Sequence, residues 1–103
     1  MTLAELFTAL KTLAWPVAYS HFTTAQTPPF ITYQVSHSLD FMADNQNYHD
    51  RTNVQIELYT KTKDLTREGQ VQTLLKANRL PYQKTEAFLD SENLFQVIYE
   101  IRI

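Results

Sequence analysis

Hydrophobic and polar positions alternate most clearly over "TNVQIELYTK", where Val54, Ile56 and Leu58 interleave with Gln55, Glu57 and Tyr59. Successive side chains of an extended chain point to opposite faces, so this period of two predicts a strand with one buried face. "FITYQVSH" repeats the pattern, with Ile31, Tyr33, Val35 and His37 forming its apolar side and Phe30, Thr32, Gln34 and Ser36 the other. In "LFQVIYEIRI" the residues Phe95, Val97, Tyr99, Ile101 and Ile103 share one face, opposite Gln96, Glu100 and Arg102 with Leu94 and Ile98. That strand is expected to hold its sheet pairing to the last residue. "PYQKTEAFL" reads as a further strand, separated from the last by the polar turn "DSEN", and "PVAYSHF" as a short one.

Two segments follow the helical period instead. Leu3, Leu6, Phe7, Leu10 and Leu13 recur at helical spacing, and Thr2 stands three residues before Glu5 in a capping-box arrangement, which predicts a helix over about residues 2–14. Pro16 is expected to end it, because proline lacks an amide donor and disfavours helical backbone at Trp15. In "KDLTREGQVQTLLKAN", Asp64 is the expected N-cap and Leu65, Glu68, Val71, Leu74 and Leu75 mark the repeat, with Gly69 as a weakening residue. The resulting order, α-β-β-β-α-β-β, predicts an α+β domain: an antiparallel-rich sheet of four to five strands with two helices on one face.

Composition narrows what such a domain does. A chain of 103 residues with 44% hydrophobic content suits one domain, residues 1–103, around one core. Its net charge of -2 is scattered and gives no footprint for a nucleic-acid backbone or an anionic membrane. Residues 1–14 lack the continuous apolar run of a signal peptide or membrane span, so a soluble protein is expected. Without cysteine there is neither a disulfide nor a thiolate metal site, which suits a reducing compartment. A single glycine, Gly69, excludes glycine-rich cofactor loops.

No catalytic or metal-binding constellation emerges from spacing. His21, His37 and His49, with Asp40, Asp44 and Asp50 as oxygen donors, lack the offsets that fix two ligands together, and the Asp series departs from the calcium-loop pattern. Ser20 with His21, and Ser36 with His37, are neighbours whose side chains diverge if they lie on strands. Glu57 and Glu100 can meet across strands, but charges on a solvated strand face are much commoner than an acid–base pair. The chain is therefore read as a non-enzyme without cofactor or metal, and partner surface becomes the subject. Six tyrosines suit half-wet protein contacts. The connection "FMADNQNYHD", residues 41–50, is polar yet carries Phe41, Met42 and Tyr48. Loops longer than about twelve residues in compact domains are usually functional or disordered, so this segment is expected to bind a partner.

Taken in order, "PFITYQ", "ADN", "VQIELYTKTKD", a Glu-containing helix, "YQKTE" and "SENLFQVIYEIRI" resemble the tail terminator (tail completion) proteins of long-tailed, siphovirus-type phages and prophages of Gram-positive bacteria. The resemblance spans residues 28–103 and lies in the series rather than in one motif. It implies a structural protomer that closes into a ring, usually a hexamer, on the head-proximal end of the tail tube, where it stops polymerisation and offers a surface to the head–tail connector protein. The implied partners are further copies of itself, the tail tube protein and the connector, with no sequence-specific nucleic-acid or membrane binding. The implied location is the virion tail and neck, and the host cytoplasm during assembly. On this reading residues 41–50 form an assembly arm, with Phe41, Met42 and Tyr48 as anchors and Asp44 and Asn45 as polar fixers. Glu57, Glu86 and Glu100 are candidates for the wall of a DNA-passing lumen, which should avoid attractive positive charge. Two alternatives stay open: another head–tail neck protein, and a non-viral protein-binding module.

Overall fold

The computed structural model describes residues 1–36 and 52–103. Helix α1 spans Leu3–Lys11, followed by β1 (Val17–Tyr19), β2 (Phe30–Val35), β3 (Asn53–Thr60), helix α2 (Leu65–Ala77), β4 (Gln83–Leu89) and β5 (Leu94–Arg102). The five strands form one sheet in the order β1-β2-β3-β5-β4, antiparallel throughout except for the parallel pair β1–β2. This is the α+β class that the hydrophobic pattern predicts.

Register explains how one face becomes the core. Ile31 lies opposite Leu58, Tyr33 opposite Ile56, and Val54, Ile56 and Leu58 lie opposite Ile101, Tyr99 and Val97. Directly opposed residues share a face, so the apolar sides of three strands merge into one surface. Leu6 and Leu10 from α1 and Val71 and Leu75 from α2 join the same buried cluster. Each such side chain contributes about 1.5–3 kcal/mol by leaving water. The backbone ladder reaches the final residue, since Ile103 and Thr52 exchange two hydrogen bonds of 2.9 and 3.3 Å.

The helix starts follow local chemistry. Thr2 and Glu5 form a reciprocal capping box, with Thr2 Oγ1 accepting from the Glu5 amide at 3.1 Å and the Thr2 amide donating to Glu5 Oε1 at 2.8 Å. Asp64 caps α2 by accepting from the Arg67 amide at 3.0 Å. The end of α1 departs from expectation. It stops at Lys11, well before Pro16, because the Thr12 hydroxyl takes the Ala9 carbonyl at 2.6 Å and Ala14 turns into the left-handed region at φ 66°. Leu65, expected on the apolar stripe of α2, is 70% exposed. The stripe that does face inward is Glu68, Val71, Gln72 and Leu75, and it brings two polar residues toward Tyr99, whose hydroxyl donates to Gln72 Oε1 at 3.2 Å.

Candidate assembly face

The second face of the sheet carries none of the described helices. Alternation places Phe30, Thr32 and Gln34 of β2, Gln55, Glu57 and Tyr59 of β3, Gln96, Ile98 and Glu100 of β5, and Thr85 and Ala87 of β4 on this side. Amides, hydroxyls and aromatic rings dominate it.

Glu57 sits at its centre, on the middle strand, and is only 7% exposed. Its carboxylate is held by neutral donors. Thr32 Oγ1 donates to Oε1 at 2.5 Å, Gln55 Nε2 donates to Oε2 at 2.7 Å, and the Tyr59 hydroxyl stands 3.5 Å from Oε1. Gln96 Nε2 in turn donates to the Tyr59 hydroxyl at 2.9 Å. A buried carboxylate without such donors would carry a desolvation cost of several kcal/mol, so the network is what allows Glu57 to occupy this position. Burial, reinforced by the Glu57 charge, pushes the Tyr59 phenol above its ordinary pKa and keeps it a neutral donor. Beside the network Phe30 stacks on Tyr59 at 4.9 Å, and Phe22 meets Phe30 edge-on at 5.5 Å. The face thus combines aromatic rings, which protein contacts favour, with amide and hydroxyl groups.

A second polar cluster lies on the helix side. Glu68 is 2% exposed and faces two ammonium groups, Lys63 Nζ at 2.8 Å from Oε2 and Lys84 Nζ at 2.7 Å from Oε1. Lys63 also pairs with Glu86. Burial pushes the Glu68 carboxyl upward, but the hydrogen bonds and charges of Lys63 and Lys84 outweigh it and hold its pKa below the usual value. Lys63 is raised in turn by its bonds to Glu68 and Glu86. The arrangement ties the start of α2 to β4.

The residues singled out in the sequence distribute unevenly. Phe41, Met42, Asp44, Asn45 and Tyr48 lie outside the described residues, as do His37, His49, Asp40 and Asp50. Ser20 and His21 do come together, at 3.3 Å between Oγ and Nδ1, against the expectation that they diverge. Ser20 follows β1 with φ 68°, so strand alternation no longer applies to the pair. Both residues are exposed, and no carboxylate is bonded to the imidazole. The three glutamates proposed for a lumen wall do not share a surface. Glu86 lies opposite Val97 on the helix side and is paired with Lys63, whereas Glu57 and Glu100 are on the other face and only Glu100 is exposed there. The contacts of Thr32 with Glu57 and of Gln96 with Tyr59 follow from strand register, which period alone does not carry, whereas Gln55 shares the face of Glu57 by alternation.

Among the described residues, no group of three or more His, Cys, Asp or Glu is placed to hold a metal ion, and no helix is long and apolar enough to cross a membrane. No family model matches the chain, and neither a curated protein nor a solved structure matches it.

Proposed function

We propose that this chain is a structural, non-catalytic assembly subunit of the tail terminator kind, present in the tail of a virion and in the host cytoplasm while that tail is built. The observation that carries the reading is the sheet face opposite the described helices, a preorganised surface of Thr32, Gln55, Tyr59 and Gln96 around Glu57 flanked by the Phe30–Tyr59 stack. The α-β-β-β-α-β-β order that accompanies the resemblance gives it further support. Rigid aromatic and amide side chains lose little entropy when a partner covers them, which suits a docking surface.

On this reading copies of the chain contact one another head to tail, and a heterologous contact closes into a ring when its rotation divides the circle. The ring docks on the last tier of tube protein, occupies the surface the next tube subunit would use and leaves a different surface for the connector. The arm at residues 41–50 is proposed to add Phe41, Met42 and Tyr48 to these contacts. The test is electron microscopy of a tail-tube protein encoded in the same genome, polymerised with and without this chain. Tubes of limited length with extra density at one end are expected. Tubes of unchanged length with bare ends would overturn the reading, and binding of this chain to a connector instead would point to the other neck role.

A further inference from the structure

Strand β4 is an edge of the sheet: β5 pairs with one side of it, and no described strand pairs with the other. Its first six residues, Gln83–Phe88, are all exposed. A regular edge of this length presents amide and carbonyl groups to whatever strand arrives, and charged side chains along it deter pairing unless the arriving strand answers them with opposite charges. Here the charges alternate in sign about Thr85, with Lys84 before it and Glu86 after it. Phe88, 44% exposed and edge-on to Phe95 at 5.0 Å, lies three residues after Thr85 and Tyr82 three before.

That symmetry has a specific consequence. If two copies align their β4 strands antiparallel with Thr85 opposite Thr85, Lys84 of each copy faces Glu86 of the other, Gln83 faces Ala87, and Tyr82 faces Phe88. Directly opposite residues share a face, so both charge pairs and both aromatic pairs fall on the helix side of a continuous sheet. Sliding the second copy by two residues either way destroys the match, since Glu86 then meets Glu86 or Lys84 meets Lys84. Opposite charges directly across strands stabilise and like charges repel, so a single register is selected.

We propose that β4 is a self-recognition edge, through which a second copy of this chain pairs antiparallel about a two-fold axis at Thr85 and joins two sheets into one. Lys84 and Glu86 also pair within each copy, with Glu68 and Lys63, so a second copy would share charges that are already held in place. The inference does not rest on the terminator reading: a chain that caps tubes but never pairs through β4 would overturn this proposal alone.

Because the chain has no cysteine, single replacements report the register directly. Opposed residues in an antiparallel pair have Cα atoms about 4.5–5.5 Å apart, within disulfide reach. Under mild oxidation Thr85→Cys is expected to cross-link with itself. Gln83→Cys and Ala87→Cys should form no disulfide-linked dimer separately and cross-link when mixed. In sedimentation the unsubstituted chain should approach twice its 12.0 kDa mass as concentration rises, and Glu86→Lys, which sets lysine against Lys84 of the second copy, should return it to monomer. Should Glu86→Lys fail to fold, the exposed cysteine positions still decide. A chain that stays monomeric at every concentration, or Thr85→Cys that cross-links no faster than Gln83→Cys alone, would overturn the proposal.

Discussion

Two glutamates are buried in this domain, on opposite sides of one sheet, and their environments differ in kind. Glu68 faces α2's packing partners and is held by Lys63 and Lys84, so its charge is neutralised where it stands. Glu57 lies buried on the side away from the described helices and is held by Thr32 and Gln55, donors without charge. The first solution makes a clamp between a helix and an edge strand. The second makes a carboxyl group hydrogen-bonded by neutral donors in a surface of amides and rings.

The contrast yields measurements of decreasing size. Glu68→Ala removes the joint between α2 and β4 and leaves space in the core, so chemical denaturation should show a loss of about 2–4 kcal/mol. Acid should expose the same joint. The Glu68 carboxyl has its pKa lowered on folding, so its stabilisation is present above the ordinary carboxylate value and disappears as pH falls through the lower folded value. Glu68→Gln should therefore flatten the acid limb of the stability profile, and an unchanged limb would break the distinction between the two sites. At the other glutamate, Thr32→Val keeps the shape of the side chain and deletes the closest donor to Glu57, with an expected cost of about 1–2 kcal/mol. A cost as large as that of Glu68→Ala would mean that the Glu57 network is as structural as the clamp. The smallest effect is a gain. Gly69, next to Glu68 on α2, has nothing within 4 Å of the position a Cβ would take, so Gly69→Ala should raise stability by about 0.5–1 kcal/mol without touching either carboxylate.

Much of the helix side of this comparison was legible from the chain and much of the other side was not. Alternation at Val54, Ile56 and Leu58 identifies the core face of β3, and Thr2, Glu5 and Asp64 mark helix starts, because those signals are local. The end of α1 was misjudged since Thr12 and Ala14 turn the chain before Pro16 can. Leu65 leaves the stripe it was expected to share with Glu68, Val71 and Leu75, because a helical period says which residues share a face and tertiary contacts decide how much of that face goes inward. Thr32 reaches Glu57 only through the alignment of β2 with β3 across residues 37–51, whereas Gln55, two residues before Glu57 on β3, shares its face by alternation alone. The segment expected to bind, residues 41–50, lies outside the described residues, so the assembly face rests on the sheet.

We propose above that the sheet face opposite the described helices is the contact surface of a tube-capping subunit. The direct test compares the fraction of capped tail tubes obtained with the unsubstituted chain and with Gln34→Arg, which places a bulky cation on that face, outside the hydrogen bonds to Glu57. The account predicts that Gln34→Arg keeps the thermal transition of the unsubstituted chain and loses capping. Equal capping by both proteins would contradict the assignment of the face, and capping by neither would contradict the function itself.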